Sequence, residues 1–194
     1  MLISKGFLVQ ARSWVRSQVG PLLRRIADGT PILGLEPSCL LTLADEWTDL
    51  VPGADTQRVA AAAHLADSWL AKQVTVGNCE LPLLPRKDKC VLHGHCHQKA
   101  LLGVAASAPA LRLIPGLDVQ VLDAGCCGMA GSFGFEKEHF DISAKIANLA
   151  LVPALNAVPE ATVVAPGTSC RHQIHDLAGR RALHPLEVVA GQMG

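Results

Sequence analysis

The sequence predicts an α/β fold with a mainly parallel sheet flanked by helices. Three observations carry that reading. Short apolar runs that read as buried strands alternate with stretches of 3.6-residue apolar periodicity. Aromatic residues are scarce, with four Phe, three Trp and no Tyr in 194 residues, so the core is built from Leu, Val, Ile and Ala. A strand–turn–helix pattern also recurs: PILGLEPSCLLTLAD (31–45) aligns with TVVAPGTSCRHQIHD (162–176) at an offset of 131. The match sets Cys39 opposite Cys170 and Asp45 opposite Asp176, and points to two related halves, the first incomplete.

The elements follow in order. From Phe7, apolar residues recur at Leu8, Ala11, Trp14, Val15, Val19, Leu22, Leu23 and Ile26, the spacing of a helix. Asp28-Gly29-Thr30 stops it, and Pro31–Leu35 reads as a short buried strand. A helix is expected after Ser38, a suitable N-cap, and ends at Val51-Pro52-Gly53. Thr56 to Lys72 reads as a further helix with Val59, Ala63, Ala66 and Leu70 on one face. Val74 to Lys89, rich in proline and charge, reads as an exposed connection. Beyond it lie a strand at Cys90–Leu92, a helix around Gln98–Ala106 and a strand at Val119–Leu122. A Gly-rich loop leads to a long helix from about Glu136 to Asn156. A strand at Thr162–Ala165, a helix from about Ser169 and a short helix at Pro185–Ala190 complete the chain.

Composition excludes several function classes. Lys+Arg and Asp+Glu both count 17, so the formal charge is zero; a nucleic-acid or polybasic membrane-surface binder needs a basic footprint that is missing. With 18% charged residues and a mean hydropathy of +0.29, the chain is not a disordered one. The apolar run Ala100–Leu111 is too short to span a bilayer, and the N-terminal residues hold no continuous apolar signal segment. A cytoplasmic globular protein is expected, with any membrane association made through partners.

Seven cysteines, an odd number that includes one adjacent pair, fit metal or redox chemistry better than a disulfide framework. Cys39, Cys96, the pair Cys126-Cys127 and Cys170 each follow a predicted strand. In a parallel α/β sheet such loops line one crevice, and helix N-termini just after them favour thiolate. Soft thiolates select iron–sulfur clusters, zinc or copper(I). Cys79 and Cys90 read as ordinary cysteines. Gly125, Gly128, Gly131 and Gly134 recur every third residue around the Cys pair, a spacing that lets backbone N–H groups approach an anion but is no dinucleotide fingerprint. His93-Gly94-His95-Cys96-His97 keeps a zinc site open, built from Cys96, Cys126, Cys170 and His95 or His97. His93 reads as a turn cap, and His64, His139, His172, His175 and His184 as surface or capping residues.

Three segments resemble one family: Leu92–Ala100 (LHGHCHQKA), Gly125–Gly134 (GCCGMAGSFG) and Ala165–Gln173 (APGTSCRHQ). Together with Gly34–Cys39 (GLEPSC) they are similar to the cysteine-rich CCG domain at the C-terminus of FAD-linked oxidases of the D-lactate and glycolate dehydrogenase type. The resemblance covers nearly the whole chain. Related domains occur in heterodisulfide reductase and in the iron–sulfur subunits of glycolate oxidase and anaerobic glycerol-3-phosphate dehydrogenase.

The resemblance implies an iron–sulfur electron-transfer domain of a 2-hydroxy-acid oxidoreductase. Cys96, Cys126, Cys127 and Cys170 would hold a [4Fe–4S] cluster, with Cys39 the remnant of a first site. It divides the chain into a first-repeat remnant (1–73), a connector (74–89) and a second repeat (90–194). FAD would sit on a partner domain or subunit, the chain would not turn over alone, and homo-oligomers are compatible with the reading. The chain starts where the family's first CCG segment has already passed, so a C-terminal fragment is expected, exposing apolar surface near Cys39 and Trp14. Gln173 stands where related domains end a C-x-x-C, which leaves four thiols for one cluster. A zinc-binding interaction domain and a metal-free remnant remain the alternatives.

Overall fold

A computed structural model describes residues 2–194. The chain divides into two compact units: the first runs through Gly34 and resumes over Cys39–Ala66, and the second takes Leu35–Ser38 and Asp67–Gly194.

In the first unit, α1 (Leu8–Arg25) buries Ala11, Val15 and Val19, which share a face at four-residue spacing. They pack with Trp47 on α3 (Glu46–Leu50) and Val59 on α4 (Ala54–Ala61). Trp14 meets Trp47 edge to face at 5.5 Å. Its other surface is half exposed, as are Phe7, Leu8 and Val9 nearby in sequence. β1 (Ile32–Gly34) pairs in parallel with β2 (Ala63–Leu65), Ile32 opposite Ala63 and Gly34 opposite Leu65. Gly34 is needed there, because a Cβ would lie 2.7 Å from that of Leu40.

The helix expected over Thr56–Lys72 is therefore three elements: α4, β2 and, from the unit boundary, α5 (Ala66–Thr75). Val59, Ala63, Ala66 and Leu70 keep helical spacing, but the backbone of β1 needs a partner and takes 63–65. Alanine, with so little side chain, does not mark a strand. The helix expected from Ser38 to Val51 is two, α2 (Pro37–Ala44) and α3, broken at Asp45, and α2 begins with Pro at its first position. Ser38 does not cap it; its hydroxyl donates to Glu36 at 2.9 Å.

The second unit holds a four-stranded sheet of β3 (Lys89–Leu92), β4 (Asp118–Val121), β5 (Thr162–Val164) and β6 (Ala182–Leu183). The order is β4-β3-β5-β6 and every pairing is parallel. Alternate residues serve opposite faces. Val91 and Val163 join Leu151 and Leu155 of α9 (Leu151–Asn156) and Ile174 of α10 (Thr168–Ala178). Cys90, Leu92 and Val164 join Leu111 of α7 (Ala108–Arg112) and Val188 and Val189 of α11 (Pro185–Ala190). Helices cover both faces, as a parallel sheet requires. The fold class is the one the sequence predicts.

Details differ locally. The expected helix at 98–106 starts earlier, as α6 (Cys96–Leu102), and stops at Gly103, whose φ is +90°. The long helix expected to Asn156 breaks at Ala150 (φ −146°) between α8 (Phe140–Leu149) and α9. Pro153 has no N–H to continue the ladder back into α8. β6, two residues long, carries too short a pattern to read. Between Thr75 and Lys89 the chain runs largely exposed; Leu84 N–H donates to Gln192 O at 2.8 Å and Arg86 N–H to Pro115 O at 2.9 Å. Among the described residues no helix is long and apolar enough to cross a membrane.

The Arg180 guanidinium donates to the carbonyls of Leu155 (2.9 Å), Val158 (3.0 Å) and Ala161, satisfying the C-terminus of α9 and the turn into β5. Arg180→Ala should lower unfolding free energy by about 1–3 kcal/mol, through carbonyls left unpaired. A urea midpoint indistinguishable from wild type would refute that role.

Candidate metal centre

From β3 the chain steps to β4 on one side, while β5 and β6 lie on the other. The order thus reverses between β3 and β5, the place where parallel α/β sheets offer a crevice outside the carboxyl ends of the strands. Three loops meet at that end of the sheet. His93–Cys96 follows β3, Ala124–Cys127 follows β4, and Ala165–Cys170 follows β5. The N–H of His93 donates to Val164 O at 2.8 Å, carrying the β3–β5 ladder one residue further and fixing where its side chain starts.

The thiols form a line. Side-chain interactions run from Cys96 to Cys126, on to Cys127, to Cys170, and from Cys170 to His93. One ligand atom each from His93, Cys127 and Cys170 lies within 4.8 Å of the others. Cys127 and Cys170 are buried, Cys126 is half-buried and Cys96 is exposed. All are free thiols.

Their protons are unevenly shared. Interaction with Cys127 and Cys96 holds the Cys126 thiol well below its ordinary pKa, with help from the Gly128 N–H at 3.3 Å. Cys170 is lowered too, by Cys127 and by His93. Cys96 is pushed up by its interaction with Cys126, and Cys127 by Cys126, Cys170 and burial. Four neighbouring thiols cannot all ionise without a compensating cation. As a donor set they fit a soft metal or an iron–sulfur cluster. Elsewhere, burial pushes Cys90 up to about 11, as for an ordinary packed cysteine. Cys79 is half-buried in the connecting segment, and Cys39 is exposed on α2 in the first unit.

His93 departs from expectation. It caps no turn: it is 0% exposed, and neither ring nitrogen has an aligned hydrogen-bond partner. An unsatisfied buried polar group costs about 1–3 kcal/mol, so this imidazole fits a group the protein would bind here. His95 takes the capping role, its Nδ1 accepting from the His97 N–H at 3.2 Å at the start of α6. His184 caps α11, as expected of it. His175 lies exposed beside Asp176, and His172 packs edge-on against Phe135.

Several supporting residues escaped the sequence reading. Glu36, in the short segment assigned to the second unit, accepts from the Thr168 N–H at 2.7 Å and so anchors the N-terminus of α10, which carries Cys170. It also lies 4.0 Å from His95 Nε2. Lys99 donates to the carbonyls of Ala124 and Gly125, fixing the loop before the cysteine pair. Burial lowers its pKa and the neighbouring thiolates oppose that shift. Gln173, the residue in place of a cysteine, is buried and donates to Ser143 Oγ at 2.9 Å, tying α10 to α8. Pattern at those positions signals only helix. Gly128 (φ +91°) passes so close to Ser143 that a Cβ would sit 2.2 Å from its carbonyl oxygen.

Gly167 has an ordinary backbone (φ −78°), yet a Cβ would lie 2.4 Å from His95 Cδ2 and 3.2 Å from Cys170 Sγ. Gly167→Ala should therefore destabilise by about 1–3 kcal/mol through overpacking and speed alkylation of Cys170; unchanged reactivity would contradict the close packing.

Glu36 carries a pH prediction. Burial raises its pKa, but the hydrogen bonds from Thr168 and Ser38 and the nearness of His95 outweigh that and leave it lowered. A lowered folded-state pKa adds stability that is present above the unfolded value, about 4.3, and is lost as pH falls through the folded value. Thermal melts below that pH should thus fall less steeply for Glu36→Gln than for wild type. Parallel curves would exclude the role.

No protein-family model and no solved structure matches the chain. Curated relatives do. The chain is 31% identical over 193 residues to a subunit of the anaerobic glycerol-3-phosphate dehydrogenase of Escherichia coli K12, covering 97% of this chain and 47% of that one. It is 29% identical over 194 residues to D-2-hydroxyglutarate dehydrogenase of Pantoea ananatis, covering 95% of this chain and 18% of that one. The same enzyme of E. coli K12 is 28% identical over 186 residues, with the same two coverages, 95% and 18%. The chain thus spans about half the length of the first relative and under a fifth of the others. All are dehydrogenases or dehydrogenase subunits by name, and nearly the whole chain is similar to one part of each.

Proposed function

We propose that the second unit is an iron–sulfur electron-transfer module of a flavin-linked dehydrogenase acting on a hydroxy acid or a glycerol phosphate. The observation that carries this reading is the line of four thiols, Cys96 to Cys126 to Cys127 to Cys170, drawn from three loops at one end of a parallel sheet. Relatives named as dehydrogenases of glycerol 3-phosphate and of D-2-hydroxyglutarate support it. A [4Fe–4S] cluster would supply one-electron chemistry.

The residues of the chain have separable roles in this proposal. The four cysteines bind. Buried Cys127 and Cys170 keep water from the inner side, while exposed Cys96 marks the edge through which electrons pass. Lys99 holds the 124–125 backbone and places a cation beside the accumulated thiolate charge. Oxidation of the substrate belongs to a flavin domain or subunit, and residues 1–73 to the remnant of a first repeat, with Cys39 the survivor of its site. One observation favours a second reading, a single zinc ion: the 4.8 Å grouping of His93, Cys127 and Cys170 suits a mononuclear Cys/His site.

Anaerobic purification followed by iron, sulfide and zinc analysis decides between the two. The cluster reading expects about four irons and four sulfides per chain with broad visible absorption, lost in Cys127→Ser. Colourless protein with one zinc per chain would establish the second reading in place of the first.

A further inference from the structure

We propose that His93 is a direct nitrogen ligand of the metal centre, bound beside Cys127 and Cys170 on its buried side. The inference rests on the reading that these thiols hold a metal, and adds a ligand type that a cysteine-only site lacks.

Three observations meet at this residue. His93 is completely buried, with both Nδ1 and Nε2 lacking an aligned partner. One of those nitrogens lies within 4.8 Å of both Cys127 Sγ and Cys170 Sγ. Its backbone is fixed by the hydrogen bond from its N–H to Val164 O at 2.8 Å, at the point where the strand order reverses. A histidine buried for packing alone pairs its ring N–H with a carbonyl or carboxylate. Here one ring nitrogen lies near the sulfurs of Cys127 and Cys170 instead. His95, next but one in sequence, shows the contrast: its Nδ1 is spent on the cap of α6 and its Nε2 faces Glu36.

Coordination uses the lone pair of a neutral imidazole; the second nitrogen keeps its proton, and no electron is transferred. A [4Fe–4S] cluster takes one terminal ligand per iron, so His93 bound at an iron stands in place of one of the four thiolates. Because imidazole is neutral, that centre carries less negative charge and a higher reduction potential than one held by four cysteines, the direction known for histidine-ligated two-iron centres.

The test uses the full chain, purified anaerobically and reconstituted with ferrous iron and sulfide. Protein labelled with 15N only in histidine is reduced, and the nitrogen hyperfine coupling at the paramagnetic centre is measured. The proposal expects a strong histidine coupling that disappears in His93→Ala and in His93→Cys but persists in His95→Ala. His93→Cys guards against a folding failure of the alanine variant: it should retain iron and shift the midpoint potential downward. Full iron and sulfide with no histidine coupling would overturn the proposal while leaving the thiol site standing. A chain that takes up no iron would remove both.

Discussion

The parallel pairing of β3 with β4 on one side and β5 on the other is the constraint on which the site depends. Cys96, the Cys126-Cys127 pair and Cys170 lie on chain segments that no local structure would bring together. A central strand with parallel neighbours on both sides puts the three carboxyl ends at one edge, and each following loop delivers its cysteines there. The cores on the two faces secure this order, since Cys90, Val91 and Leu92 of β3 are buried completely between helices. A slip of one residue would exchange the faces and move every one of these cysteines.

The electrostatics of the site follow from that convergence. Bringing thiols together at one edge makes a full set of thiolates costly, and groups that are not themselves candidate metal ligands support the cysteines or hold the segments that carry them. The Gly128 N–H serves Cys126, Lys99 lies over the loop before the pair, and Glu36 holds the first turn of α10. Close-packed glycines let Ser143, His95 and Cys170 approach the backbone of the site. At Gly167 and Gly128 the approach of neighbouring atoms, and not only a turn conformation, requires the missing side chain.

Much of this was legible in the sequence, for definite reasons. Strand–helix alternation and the repeat of 31–45 at 162–176 reported the α/β fold because both follow the strand–turn–helix order of the backbone, although β1, expected to be buried, leaves Leu33 44% exposed. The common address of Cys96, Cys126, Cys127 and Cys170 was readable because loops after parallel strands share an edge. β2 was hidden inside a helical spacing at Ala63, whose short side chain reports neither period well. The unpartnered ring of His93 was hidden because a histidine beside a strand end looks alike whether its ring nitrogens are paired or bare. Glu36 lies 132 residues from the Thr168 it caps, a separation no local pattern encodes.

The central claim is that cysteines from three loops make one metal centre. Its most direct test is mass-spectrometric mapping of thiol alkylation on the native, anaerobically purified chain before and after removal of metal with a chelator. The account predicts that Cys96, Cys126, Cys127 and Cys170 are protected together and become reactive together, while Cys79 reacts at the same rate in both states. Alkylation of Cys170 or Cys126 that is indifferent to the chelator, in protein shown to contain metal, would contradict it.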